Sequence, residues 1–190
     1  LAIRDTRKCR DLIKSEWYQS RWPIEIKRDQ DGKTEFGNTR QGFRLAKAFT
    51  GMTGQRGDRV ILDDPIGAYD ANSAAALEEA RLAFTETLPT RVNNEKSAIV
   101  VIMQRLNEAD TSGLILGMGL PYTHLCIPME YESANDNGPN ELGWKDPRTH
   151  DGELMFPERF SAQQVAELKQ TLGPYGTAGQ LQQSPSPRGG

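Results

Sequence analysis

The chain has 190 residues, a formal net charge of −3 with 23 Lys+Arg against 26 Asp+Glu, and a mean hydropathy of −0.64. That length supports one sizeable core, or one core with a small appendage. No run of about 18 apolar residues occurs, which excludes a helical membrane span, and the slightly acidic balance excludes a wholly basic nucleic-acid coat while leaving room for a local patch.

The first element predicted is a helix over Leu1 to Gln19, with Ile3, Leu12 and Ile13 on an inner face and Trp17-Tyr18 as an aromatic anchor. Arg4, Arg7, Lys8, Arg10 and Lys14 give it a basic patch, whose ordinary meaning is a solvated helix face. Pro23 stops the helix. Ile24 to Ile26 alternates as a strand, Asp31-Gly32 signals a hairpin, and Lys33 to Phe36 is the return strand. Gly42 to Phe49 is a further candidate strand. The loop 50–57 carries three glycines, suited to tight turns or close backbone approach to a ligand.

Arg59 to Asp63 predicts a buried strand that turns at Pro65. Asn72 or Ser73 caps a helix with Glu78 and Glu79 in its first turns, running through Ala80, Leu82 and Phe84 to about Leu88. Ser97 to Met103 is the strongest buried-strand signal. A short helix follows over Asp110 to Leu116, then an alternating strand over Thr123 to Ile127 that Pro128 ends. Glu132 to Thr149 is rich in Asn, Asp, Gly and Pro and reads as an exposed linker or insertion. Ser161 caps the last helix with Gln164 at the capping-box position, Val165, Leu168 and Leu172 inward, and Gly173 at its end. Gln180 to Gln183 leads into the exit Ser184-Pro185-Ser186-Pro187.

Two apolar strands joined by a helix make a βαβ unit, hence a parallel pair with helices on its faces. Chemistry in such sheets lies beyond the carboxyl ends of the strands. Asp63-Asp64 and Gln104-Arg105 both fall there, so the two segments are expected to face one crevice. Adjacent carboxylates repel each other, and a cation relieves that repulsion. Asp-Asp-Pro is equally good turn chemistry. Gln104 and Arg105 carry an amide and a guanidinium that can bond a phosphate oxygen, or they simply precede a capped helix. Arg91 is a surface charge or an arginine finger. His124 and His150 have no ligand-spaced partner. Cys9 and Cys126 form no CxxC, which leaves no disulfide framework or zinc ribbon and fits a reducing compartment.

Thr53-Gly54-Gln55-Arg56-Gly57-Asp58 running into Leu62-Asp63-Asp64-Pro65 resembles the glycine loop and Walker B strand of the large terminase subunit of tailed bacteriophages, a DNA-packaging motor. The Arg-rich first helix ending in Trp17-Tyr18 resembles the segment after an early core strand of that family. Thr90-Arg91 stands where the family's post-Walker B helix leads to a Thr-Arg. Met103-Gln104-Arg105-Leu106-Asn107-Glu108-Ala109-Asp110 resembles its coupling motif, often closer to Met-Thr-Arg-Trp-His-Glu-x-Asp. Phe156 to Phe160 and Gln180 to Pro185 resemble the stretch joining ATPase core to nuclease domain. The chain departs from the family at Gln104, where threonine is common, at Leu106-Asn107, and at Asp64, where many relatives carry glutamate.

The resemblance implies an α/β fold of the P-loop NTPase (ASCE) type. Its mostly parallel, helix-flanked sheet would be incomplete here. The implied division is an ATPase-core part over 1–131, a polar linker or insertion over 132–151, and a linker subdomain over 152–190. It implies Mg²⁺-dependent ATP hydrolysis driving DNA translocation into a capsid. Asp63 would hold Mg²⁺, Asp64 orient the attacking water, Gln104 contact nucleotide and with Arg105 couple phosphate state to later segments, and Arg91 stabilise charge. The implied partners are double-stranded DNA, a portal protein, the small terminase subunit and further copies in a ring, in the host cytoplasm and without a membrane. No Gly-x-x-x-x-Gly-Lys-Ser/Thr loop occurs, no signal peptide is visible, and the chain opens at Leu1. A piece of a longer protein is therefore expected, with phosphate loop upstream and nuclease carboxylates downstream, and with little activity on its own. The alternatives are another P-loop helicase or recombination ATPase, a metal-dependent nuclease using Asp63-Asp64 directly, and a non-enzymatic remnant.

Overall fold

The computed structural model describes residues 2–136 and 138–186. Leu1 of the predicted first helix, Asn137 of the polar stretch, and Pro187 to Gly190 lie outside them. The described residues form a mixed α/β fold with one small antiparallel and one small parallel sheet. The chain clusters into two compact units. The first holds 1–63 and 86–100, the second 64–85 and 101–190. The boundary expected at residue 131 falls inside the second unit.

In the first unit, helix α1 (Ala2–Lys14) ends at Ser15, which caps the short helix α2 (Glu16–Gln19) by accepting from the Tyr18 N–H. The predicted single helix is thus two. A serine whose side chain satisfies the next turn's N–H starts a new helix rather than extending the old one. Strands β1 (Ile26–Asp31), β2 (Glu35–Asn38) and β3 (Phe43–Leu45) pair antiparallel in that order, with an irregularity in the β1–β2 ladder. Helix α1 is tied to this sheet through Arg10, Lys14, which pairs with the Asp31 carboxylate, and Thr6. Arg10 Nη1 donates to the Asp31 and Gly32 carbonyls at 3.3 Å, and Arg44 Nε donates to the buried Thr6 hydroxyl at 3.2 Å. The third predicted strand is shorter than expected, because Phe49–Gly51 turns as a 3-10 helix.

Strand β4 (Arg59–Asp63) pairs with β5 (Ala98–Ile102). The direction is parallel: Ala98 N–H donates to Asp58 O near the strand starts, and Asp64 N–H donates to Ile102 O past the ends, both at 2.9 Å. The apolar runs predicted strands covered on both faces. Leu62 is buried as expected, but Ile61 is 51% exposed, Val100 41% and Ile102 54%. Side chains alternate across a strand, so one face of this pair is open.

In the second unit Ser73 caps helix α3 (Ala74–Leu82) by accepting from Ala76 N–H. The helix continues as one wide π turn over Ala83–Thr87, which buries Phe84. Helix α4 (Thr111–Gly117) packs on α3, and the Phe84 ring lies 6.2 Å from Tyr122. Helix α5 (Ala162–Gly176) has the predicted capping box between Ser161 and Gln164. It breaks at Gly173, with φ at 67°, restarts at Pro174, and closes in a second π turn over Thr177–Leu181. Among the described residues no helix is long and apolar enough to cross a membrane.

One expectation for this unit does not match. Thr123 to Ile127 forms no strand; that segment lies in irregular chain between Pro121 and Pro128. The 132–149 stretch, expected to be an exposed linker or insertion, is mostly exposed or half-buried, with Arg148 buried inside it. Its Nη1 donates to the carbonyls of Pro128, Met129 and Glu153, while Nε and Nη2 grip Asp146 at 2.9 and 2.7 Å.

Candidate functional site

The acidic pair lies at the β4 exit. Leu62 faces inward, so Asp63, the next residue on an alternating strand, faces solvent. Asp64 is also exposed and takes φ of 47°, a left-handed conformation that Asp and Asn tolerate better than other side-chain-bearing residues. Its N–H is fixed on Ile102 O, which places Asp64 beside the β5 exit, two residues ahead of Gln104. In the first unit, the Arg4 guanidinium is shifted above its ordinary value, first by its hydrogen bond to Asp5 and, more weakly, by the charge of Asp63. Exposed carboxylate oxygens at a strand end are the hard donors that Mg²⁺ takes alongside phosphate oxygens. Asp63 and Asp64 would supply two such donors. Among the described residues no cluster of three His, Cys, Asp or Glu side chains is close enough to hold a metal without a ligand's own oxygens.

Past β5 the two predicted residues part company. Gln104 is exposed at the strand end. Arg105 turns back, and its Nε donates to both carboxylate oxygens of Asp110, at 3.0 and 3.2 Å. Asp110 is 1% exposed. It also accepts from the backbone N–H groups of Leu106 at 3.0 Å, Asn107 at 3.3 Å and Gly113 at 2.8 Å. One carboxylate therefore caps α4, closes the turn after β5 and holds the arginine. Arg105 accordingly shapes the loop. Its charge, after loss of solvation, is the second cause holding the His124 imidazole below its ordinary value, so His124 is neutral at pH 7.

The loop is shaped tightly enough to require glycine. A Cβ at Gly113 would lie 1.8 Å from the Glu108 carbonyl oxygen. Gly113→Ala is therefore expected to displace the 105–110 turn and to cost about 3 kcal/mol, the upper end for overpacking. Urea unfolding monitored in the second unit measures it. A loss under about 0.5 kcal/mol would mean the turn relaxes freely.

Arg91 belongs to the first unit and ends the 3-10 turn Leu88–Arg91. Its side chain folds back locally, donating from Nε to the Thr87 carbonyl at 3.2 Å and from Nη2 to the Thr90 hydroxyl at 2.6 Å. Its carbonyl accepts from Gly57 N–H at 3.0 Å, so the glycine-loop end and the Thr-Arg segment are joined through backbone.

Sequence reasoning saw Asp110 only as a helix opener and overlooked its four donors. The available signal was an arginine five positions before an N-cap Asp with a glycine three after it. It also overlooked Tyr175 and Gln183, which reach the Arg105-Leu106 backbone from the far end of the unit. No protein-family model matches the chain, and no curated protein sequence matches it.

Proposed function

We propose that this chain is the Walker B to linker part of an ATP-hydrolysing DNA-packaging motor of the large terminase subunit type, built on a P-loop NTPase core. The observation that carries the proposal is the Asp64 N–H bond to Ile102 O in a parallel strand pair. It joins the exit of an acid-tipped strand to the exit of the strand that leads into Gln104. A nucleotide-hydrolysing sheet needs that adjacency, since metal ligand, water-orienting base and γ-phosphate contact must converge on one phosphate.

In this reading Asp63 is the carboxylate for Mg²⁺, which when bound neutralises charge on the phosphates. Asp64 accepts a hydrogen bond from the attacking water and orients it. Gln104 offers an amide N–H to a phosphate oxygen, and the buried Arg105–Asp110 pair holds the turn that carries it. Arg91, released from Thr87 and Thr90, would add a guanidinium to the developing charge. Duplex DNA would be gripped through phosphates without base reading, so binding would weaken with salt. A portal protein, a small terminase subunit and further copies in a ring are the partners of such a motor.

The test joins this chain to its phosphate-binding loop in the full-length protein and measures Mg²⁺-dependent ATP turnover with and without duplex DNA. Turnover that DNA stimulates is the expected result. DNA cutting by the isolated 190-residue chain in Mn²⁺, lost on Asp63→Ala, would replace the motor with a nuclease that uses the acidic pair directly.

A further inference from the structure

The chain leaving β5 has backbone groups that no sheet satisfies, and buried backbone polar groups need partners. Three residues of the C-terminal turn supply them or close over them. The Arg105 N–H donates to Gln183 Oε1 at 2.9 Å, across 78 residues of sequence. The Tyr175 hydroxyl lies 3.2 Å from the Leu106 carbonyl and 2.7 Å from Asn72 Oδ1, just ahead of α3. Between these contacts Gly179 lies against the Arg105 carbonyl, so close that a Cβ there would sit 2.7 Å from the oxygen.

Positions 175, 179 and 183 are spaced by four, and a wide π turn covers Thr177–Leu181 between them. Such single wide turns recur at functional sites. Gln183 itself takes φ of 56°, a strained value for glutamine. Its neighbour Gln182 faces the other way, accepting from Glu130 N–H and donating to the Glu130 carbonyl, both at 3.1 Å. A small cleft of about 180 Å³ lies beside the contact, lined by Ala71, Asn72, Leu106, Tyr175, Gly179 and Gln180. The fit is close at three backbone points and loose around them.

We propose that Tyr175, Gly179 and Gln183 are positioning residues that clasp the Arg105-Leu106 backbone and so set the location of Gln104, one residue upstream. The role rests on the proposed ATPase reading. Through the clasp, the C-terminal turn and the strand-exit loop move as one piece. A shift of Gln104 on phosphate release is thereby passed to the 175–183 segment through main-chain bonds rather than through an exposed side chain.

Two measurements test it. Gln183→Ala removes the acceptor for the Arg105 N–H, and Gln183→Glu keeps an acceptor oxygen there. In the 190-residue chain, amide exchange at Arg105 should quicken about tenfold in the alanine variant, the worth of one buried hydrogen bond, and return to within about twofold in the glutamate variant. In the full-length protein, kcat for ATP should fall about tenfold in the alanine variant with KM unchanged, and the glutamate variant should rescue it. Tyr175→Phe, which deletes only a hydroxyl, should lower kcat in the same sense and serves if the alanine variant fails to fold. Faster exchange with unchanged kcat would overturn the proposal while leaving the ATPase reading intact. So would a kcat loss accompanied by a lower melting temperature and no rescue by glutamate. A full-length protein without ATP turnover would sink the reading itself, whatever the exchange rates show.

Discussion

Asp64→Asn in the full-length protein is expected to reduce ATP turnover by at least about a hundredfold while leaving nucleotide affinity within about twofold. A positioned base contributes about 10²–10⁴ to a reaction of this kind, and an amide in the same place neither accepts a proton nor carries the charge that orients water. The substitution is also conformationally clean. Residue 64 occupies a left-handed conformation at φ 47°, which asparagine adopts at least as readily as aspartate. Its backbone N–H keeps the bond to Ile102 O whichever side chain is present. Lost turnover therefore reports chemistry rather than a broken strand exit. Alanine at 64 would confound the two, because it adds strain at a positive φ. Steady-state turnover with a parallel nucleotide-binding titration decides the matter. Undiminished turnover removes Asp64 from the mechanism and leaves the acidic pair as turn residues.

What the sequence reveals depends on how far apart the interacting groups are. The caps at Ser73, Asp110 and Ser161 were legible because their capping donors lie three residues on. The two parallel strands were legible as apolar runs bounded by turn residues, although the exposed Ile61, Val100 and Ile102 show that a run predicts a strand and not its burial. Thr123 to Ile127 misled because its alternation is that of a strand, yet no neighbour at that place offers a ladder. Polar composition predicted exposure over 132–149, and most of the stretch is exposed or half-buried, but it gave no sign that Arg148 would find the Pro128 and Met129 carbonyls 20 and 19 residues upstream. The acidic pair was legible as a strand end, with Asp63 closing β4 and Asp64 just past it. The clasp was not, because Gln183 and Arg105 are 78 positions apart and nothing local marks an amide that will serve a distant backbone.

Arg148→Met is expected to give the largest stability loss in the second unit, about 3–5 kcal/mol. The guanidinium is enclosed, with its side chain 3% exposed and that of Asp146 8%. It contacts three carbonyls and one carboxylate, and its carbon lies 5.6 Å from the Tyr131 ring centroid. Methionine fills much of the volume but takes the Arg148 donor from the Pro128 carbonyl, leaves the Met129 and Glu153 carbonyls with one backbone donor each, and strands a buried carboxylate without its cation, the costliest way to break such a pair. Lysine keeps the charge and loses the fork, so Arg148→Lys should recover less than half of the loss. The effect should concentrate where the chain crosses itself. The amides of Tyr131, Gly152 and Met155 donate to Glu153, Tyr131 and Met129 respectively, and their exchange should quicken by a hundredfold or more. Acid should shrink the difference between wild type and variant. Arg148 holds the Asp146 carboxyl below its ordinary value through a hydrogen bond. That contribution is full above the unfolded pKa of about 3.9 and is lost as pH falls through the lowered folded value. Adding Asp146→Asn to Arg148→Met should likewise restore part of the stability, since it removes the stranded charge. Exchange at those three amides within about threefold of wild type would mean that the carbonyls find other partners and that the segment does not depend on its buried arginine.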